Sequence, residues 1–213
     1  MKRILLIHGI WECRANMWWL ASALRRAGFA AETWGYQSIS TDSHISLAHL
    51  RKQLQQQNYF GIVAHSLGGL MALNAIEQLP QTSVQRVVCL GSPLLSSGVA
   101  RQMVQKRIGW GLGKSRDILC RGLTRWQHPA EVGSIAGTLS PGLGQLLAHV
   151  PRPSDGTVSV AETRLPGITD HCTVAASHLS LLVSGQAARQ TIHFLHHSCF
   201  ILRRSPSAAV SEP

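Results

Sequence analysis

The stretch GIVAHSLGGL, residues 61–70, joins a short apolar run to a reactive hydroxyl and a pair of glycines. The run up to Ala64 is typical of a buried parallel strand, and the residues after Ser66 are typical of a helix. A tight strand-to-helix turn lifts a serine clear of a sheet only if the residues two places before and after it are small. Ala64 and Gly68 occupy those places, so the stretch predicts a nucleophile at the turn. A helix N-cap serine beside packing glycines is the alternative interpretation.

Strands and helices alternate on both sides of this turn. Short connections between them favour a parallel sheet with right-handed crossovers. The predicted fold class is therefore α/β, with a mostly parallel central sheet and helices on both faces. The strands are predicted over 3–9, 29–34, 60–65, 84–93, 130–137 and 168–177, and the helices over 16–28, 43–57, 66–80 and 184–204.

The serine needs a base, and the base needs a carboxylate that orients it. His178 lies between the last predicted strand and the last helix, and Asp155 lies in the loop that precedes this strand. The carboxyl ends of parallel strands meet at one edge of a sheet, so we expect Ser66, Asp155 and His178 to converge there. Asp170 is the rival acid, but it falls inside the predicted last strand. We therefore favour Asp155.

Two backbone N–H groups are needed to hold the oxyanion that forms when the serine attacks a carbonyl. The residue after the nucleophile, Leu67, is expected to supply one of them. Ile10 is expected to supply the other from the loop HGIWE, which follows the first strand. His8 and Gly9 shape this loop, and the glycine lets the backbone approach a substrate closely.

The sequence LLIHGI, the elbow AHSLGG, DGTVSV and SHLSLL follow one another in this order and resemble the α/β-hydrolase superfamily, in particular its small bacterial lipases and esterases. The resemblance covers most of residues 3–200. It implies serine ester hydrolysis with Ser66 as nucleophile, His178 as base and Asp155 as the orienting acid, without a metal or organic cofactor. Two departures are Ala64, where the family usually has glycine, and Trp11-Glu12-Cys13, where many lipases have a glycine-rich loop.

The predicted activity is therefore that of a serine carboxylester hydrolase acting on acyl esters through an acyl-enzyme. A thioesterase or an acyltransferase would use the same three residues, because exclusion of water decides between hydrolysis and transfer. A binding protein of the same fold without catalysis is the alternative from a different class.

Residues 1–204 are predicted to form a single domain, and residues 205–213 a frayed polar tail. The pattern weakens over 94–128, where GWGLGKS fails the spacing of a phosphate-binding loop. This segment is a candidate cap over the site. Its larger apolar side chains are expected either to contact an acyl chain or to pack onto the core: Trp110, Leu112, Leu119, Leu123 and Trp126.

The charge is unbalanced, with a formal net charge of +10 although only 14% of residues are charged. This favours acidic partners such as anionic lipid, but the cationic residues are scattered and no nucleic-acid motif is present. The five cysteines form no C-x-x-C pair, and four apolar residues after Arg3 are too few for a signal peptide. We therefore expect a cytoplasmic protein that is open to peripheral contact with an anionic membrane.

The last predicted helix carries two further hypotheses. His193 and His197 are spaced as a zinc-binding pair, although such pairs also arise by accident. Apolar residues on the same helix, followed by Arg203 and Arg204, could touch a membrane, or they could pack against the sheet. Core packing is the simpler interpretation.

Overall fold

A parallel six-stranded sheet forms the centre of the protein in a computed structural model, which describes residues 1–140 and 149–201. The strands are β1 Arg3–Ile7, β2 Ala30–Trp34, β3 Gly61–His65, β4 Arg86–Leu90, β5 Glu131–Gly137 and β6 Asp170–Val174. Their order in the sheet is β2-β1-β3-β4-β5-β6, and every neighbouring pair is parallel. The predicted fold class is confirmed, and the sheet is parallel throughout.

Helices cover both faces of this sheet. In the described residues they are α1 Trp18–Arg26, α2 Ser43–Gln56, α3 Leu67–Glu77, α4 Gly98–Gln105, α5 Arg116–Arg121 and α6 Gly185–His197. Side chains alternate along a strand, so Leu5 and Ile7 of β1 pack with α2 and α3, while Ile4 and Leu6 pack with α1 and α6. Two separate apolar cores result, one on each face.

The closing helix is shorter than the sequence predicts. It ends at His197 because Ser198 adopts the left-handed conformation, with φ of 63°, and donates a side-chain hydrogen bond to Glu131. Glycine is the usual residue in this position, so the serine gave no signal that the helix ends. Phe200 then folds back into the core, and the predicted helical residues from Leu202 onward lie outside the described residues, as does the predicted tail.

Residues 94–128 contribute α4, a 3-10 segment over Gly109–Ser115, and α5. Leu112, Leu119 and Trp126 are buried in the core, so these side chains pack the segment onto the domain. Trp110 is the opposite case, with 82% of its surface exposed. The segment lies along the carboxyl edge of the sheet, because Gly111 O accepts a hydrogen bond from Trp11 Nε1 and Lys114 N donates one to Ile39 O.

The first turn of α3 fits against the end of β1 only because position 68 is glycine. A Cβ atom at Gly68 would lie 2.6 Å from the carbonyl oxygen of Ile7 and 2.7 Å from that of His8. Both contacts are with backbone, which cannot rotate away. We therefore predict that Gly68→Ala lowers the free energy of unfolding by about 1–3 kcal/mol, the usual cost of overpacking.

Chemical denaturation measures this change, and Gly185→Ala is the matched control. Gly185 also lies in the first turn of a helix, but the nearest atom to its Cβ position is the end of the Arg189 side chain at 3.5 Å. The control should leave stability unchanged or slightly raised. Equal effects of the two substitutions would contradict the close approach of α3 to β1.

Candidate active site

Ser66 lies at the turn between β3 and α3, as the sequence predicts. Its backbone has φ of 53° and ψ of −123°, a conformation that non-glycine residues rarely adopt. The Ser66 amide donates to the carbonyl of Leu90 at 2.9 Å, which ties the turn to the end of β4. Strain of this kind persists only where the surrounding structure holds it, and here the neighbouring strand does so.

The structure brings Ser66, His178 and Asp155 together. His178 Nε2 lies 3.0 Å from Ser66 Oγ, and His178 Nδ1 lies 2.7 Å from Asp155 Oδ2. An ionised carboxylate can only accept, so the proton of a neutral His178 is assigned to Nδ1 and the lone pair of Nε2 faces the serine. This is the arrangement in which an imidazole can take the proton of the hydroxyl.

Asp155 is held rigidly in its loop. Its side chain is 1% exposed, and Oδ1 accepts hydrogen bonds from the amides of Thr157 and Val158 at 2.9 and 2.7 Å. Its backbone carbonyl also accepts from the His178 amide at 2.9 Å. The loop therefore fixes both the carboxylate and the main chain of the histidine that it orients.

Asp170, the rival acid, lies far from this group. It is the first residue of β6, whereas the residues of the site follow the carboxyl ends of their strands. Its carboxylate accepts hydrogen bonds from the backbone amides of His171 and Phe200 at 2.7 and 2.6 Å. Asp170 therefore holds the chain that follows α6 and does not contact His178.

The two residues predicted to supply the oxyanion amides belong to segments that adjoin Ser66. Leu67 is the first residue of α3, and the loop containing Ile10 touches the serine, because a Cβ atom at Gly9 would lie 2.9 Å from Ser66 Cβ. Within residues 1–140 and 149–201, neither amide N–H has a protein acceptor. Both donors are therefore available to a bound group.

Sequence reasoning missed a second buried histidine–acid pair behind the serine. His65 Nδ1 lies 2.8 Å from Glu12 Oε1, and the two side chains are 0% and 6% exposed. Burial alone would lower the pKa of His65, but the Glu12 carboxylate and the His178 carbonyl together outweigh burial, and the pKa is raised. Burial alone would raise the pKa of Glu12, but the charge of His65 lowers it. The signals were present, since Glu12 interrupts an expected glycine-rich loop and His65 precedes the serine.

The histidines proposed for zinc have other neighbours. The rings of His193 and His197 lie 4.6 Å apart, but His193 Nδ1 donates to the carbonyl of Cys199 at 2.8 Å. No group of three histidine, cysteine or acidic side chains could hold a metal ion in the part of the chain that the structure describes. In the same residues, no helix is long and apolar enough to cross a membrane.

The apolar residues of α6 pack inward. Phe194 and Leu195 are fully buried in the core on the α1 face, and Phe200 is 4% exposed. These side chains are therefore not free to enter a membrane, and core packing accounts for them. Arg203 and Arg204 lie outside the described residues. No disulfide bond joins any of the five cysteines.

Comparison with known proteins shows the fold. No protein-family model and no curated protein matches the chain. Among solved structures, the mature lipase BlEst2 of Bacillus licheniformis is 19% identical to this chain and has a TM-score of 0.66. The match covers 94% of this chain and 92% of the lipase. The metagenomic carboxyl esterase MGS0156 is 18% identical, with coverage of 84% and 65% and a TM-score of 0.63. An α/β-hydrolase from a Paenibacillus species is 13% identical, with coverage of 91% and 98% and a TM-score of 0.60. The resemblance to α/β hydrolases is therefore present in the fold, at low sequence identity.

Close contact between the Gly9 loop and Ser66 leads to a test by substitution. In Gly9→Ala the new methyl group would meet Ser66 Cβ at 2.9 Å and Glu12 Oε1 at 3.1 Å, so the loop must move away. We predict that the rate at which Ser66 reacts with a fluorophosphonate falls by roughly tenfold to a hundredfold, since a displacement of 1 Å can cost about this much.

The control for this substitution is Gly111→Ala, in the neighbouring 3-10 segment. The nearest atom to a Cβ at Gly111 is the terminal methyl of Met103, at 3.5 Å, which is ordinary contact. Labelling of Gly9→Ala at the rate of the control would show that the loop does not constrain the serine.

Proposed function

We propose that this protein is a serine hydrolase that cleaves carboxylic esters of apolar acyl groups. The observation that carries the proposal is the hydrogen-bonded series Ser66–His178–Asp155 beside the strained turn at Ser66. A serine that only capped a helix would not need the positive φ of Ser66. It would also not need a histidine such as His178, whose second ring nitrogen contacts the buried carboxylate of Asp155. The fold shared with a lipase and an esterase is consistent with this chemistry.

The proposed reaction has two halves. Ser66 Oγ attacks the ester carbonyl while His178 Nε2 takes its proton, and Asp155 stabilises the imidazolium that forms. The amides of Ile10 and Leu67 bind the oxyanion. Collapse of this intermediate releases the alcohol, which takes its proton from His178, and leaves an acyl-enzyme. Water, activated by His178, then attacks the acyl group and releases the acid and free Ser66.

Exposed apolar side chains in the loops at the carboxyl ends of the strands support an apolar acyl group as substrate. Trp11 and Leu179 directly follow Ile10 and His178, and both are more than half exposed. Leu139, in the loop after β5, is also exposed on this edge of the sheet. Large exposed hydrophobic residues that gather at one place mark a binding surface for apolar groups. We therefore propose esters of moderate to long acyl chains as the preferred class.

Hydrolysis of p-nitrophenyl esters and labelling by a fluorophosphonate test the proposal. We expect Ser66→Ala, His178→Ala and Asp155→Asn each to lose at least roughly a thousandfold in kcat, with little change in KM. Asp170→Asn is the matched control, because this carboxylate also accepts hydrogen bonds from two backbone amides but lies at the amino end of β6, away from the site. The control should keep the wild-type rate.

A loss in Asp170→Asn equal to that in Asp155→Asn would contradict the assignment of the acid. Failure of the wild-type protein to label would favour a binding protein of this fold. The same assay with acyl thioesters and with added alcohol separates the remaining activities: a higher kcat/KM for thioesters indicates a thioesterase, and an ester product indicates an acyltransferase.

A further inference from the structure

The buried pair formed by Glu12 and His65 connects three parts of the proposed active site. Glu12 Oε2 accepts a hydrogen bond from the Gly9 amide at 2.8 Å, inside the oxyanion loop. His65 is the last residue of β3, directly before Ser66. His65 Nε2 lies 3.0 Å from the backbone carbonyl oxygen of His178. The pair therefore touches the loop, the elbow and the main chain of the base, although no step of the proposed reaction uses it.

The contacts of His65 determine its protonation. A carbonyl oxygen can only accept, so Nε2 must carry a proton to bond to His178. Nδ1 lies 2.8 Å from a carboxylate oxygen of Glu12, whose negative charge favours a proton on this nitrogen as well and raises the pKa of His65. The Nδ1–H does not point along the contact with Glu12, which makes this contact an attraction between charges and not a linear hydrogen bond. His65 is thus an imidazolium paired with a buried carboxylate.

A charged pair at this depth is costly to keep unless both ions have partners. Glu12 has two partners, His65 and the Gly9 amide, and His65 has the carboxylate and the His178 carbonyl. The rings of His65 and His178 lie only 4.7 Å apart. A lone cation at His65 would therefore oppose the imidazolium that forms on His178, and the charge of Glu12 removes this opposition.

The contact with Gly9 has a direct consequence for the oxyanion site. Because the Gly9 N–H points at Glu12, the orientation of the main chain that leads into Ile10 is restrained. Trp11, between Ile10 and Glu12, is held with φ of 58°, so the loop turns sharply to bring the carboxylate back beneath Gly9. The carboxylate thus helps to hold the amide of Ile10 beside Ser66.

We propose that Glu12 and His65 act as one positioning pair, which holds the oxyanion amide of Ile10 and the main chain of His178 in register with Ser66. This inference rests on the proposed ester hydrolysis. Neither residue of the pair bonds to Ser66 Oγ or to a ring nitrogen of His178, and the pair acts through these groups by holding their main chain.

Two matched sets of substitutions test the pair by the kinetics of ester hydrolysis. Glu12→Ala removes both of its contacts, whereas Glu12→Gln keeps an oxygen for the Gly9 amide and offers its NH₂ group to a neutral His65. His65→Asn places an amide near Nδ1 and loses the contact with His178, whereas His65→Gln can place its NH₂ group near Nε2. We expect kcat to fall roughly tenfold to a hundredfold in Glu12→Ala and His65→Asn, with KM within twofold of wild type. The glutamine variants should recover most of kcat.

The double variant Glu12→Ala/His65→Asn distinguishes one unit from two independent residues. If the residues act together, the double variant should be no slower than the slower single variant. Glu131→Gln is the control, since it removes a carboxylate paired with Arg86 at the opposite end of β5, and it should keep the wild-type kcat. Thermal unfolding of each variant ensures that rates are measured on folded protein. A kcat of Glu12→Ala within twofold of wild type, losses that multiply, or a change confined to KM would overturn the proposal.

Histidine nitrogen resonances give a readout that does not need turnover. In ¹⁵N-histidine-labelled protein at pH 7, both ring nitrogens of His65 should be protonated in the wild type, and Glu12→Ala should shift the resonances of His65 and His178. A neutral His65 in the wild type, or unchanged His178 resonances in Glu12→Ala, would overturn the pair even if the protein hydrolysed no ester. If the wild-type protein hydrolysed no ester, the proposed function would be overturned instead. The nitrogen resonances and the hydrolysis assay thus distinguish failure of the pair from failure of the proposed function.

Discussion

The backbone at Ser66 is the constraint on which the other features of the site depend. A non-glycine residue with φ of 53° is unfavourable by itself, so its neighbours must make the conformation the best one available. The Leu90 carbonyl holds the Ser66 amide, and Gly68 lets α3 approach the end of β1 to within backbone contact. Gly9 then lets the next loop rest on the serine. Each of these small residues lies where a methyl group would push the turn open.

The parallel sheet explains why residues distant in the sequence meet at this turn. Each strand runs in the same direction, so the loops after β1, β3, β5 and β6 leave from one edge. The local restraints then complete the alignment. The carboxylate of Asp155 contacts the ring of His178, and the backbone carbonyl of Asp155 accepts a hydrogen bond from the His178 amide. These two contacts fix the position of each residue relative to the other. The fold brings the residues near, and short hydrogen bonds set the final geometry.

The fold could be predicted from the sequence because a parallel sheet has a strong local signature. Buried strands such as Gly61–His65 are continuous apolar runs, and each strand from β1 to β4 is followed by an α-helix. Ser66, Asp155 and His178 follow predicted strands in the order that the resemblance implies, which is also a signal that can be read from the sequence. The end of α6 could not be predicted, since Ser198 takes a conformation for which serine has no preference. Glu12 and His65 each stand out in the sequence, but they are 53 positions apart and nothing in the sequence indicates that they meet.

The two buried carboxylates of the site, Asp155 and Glu12, matter more because the chain as a whole is positively charged. The chain has 20 lysine and arginine residues but only 10 acidic ones, and two of the acids are buried against histidines at the site. A net positive molecule disfavours an imidazolium and favours an oxyanion, but salt screens exposed charges beyond about 10 Å. Groups within a few ångströms of His178 therefore contribute most to the electrostatic field at its ring. The Asp155 carboxylate lies 2.7 Å from the His178 ring, and Glu12 offsets the nearby charge of His65, so the local field suits the proton transfer proposed above even though the whole molecule is cationic.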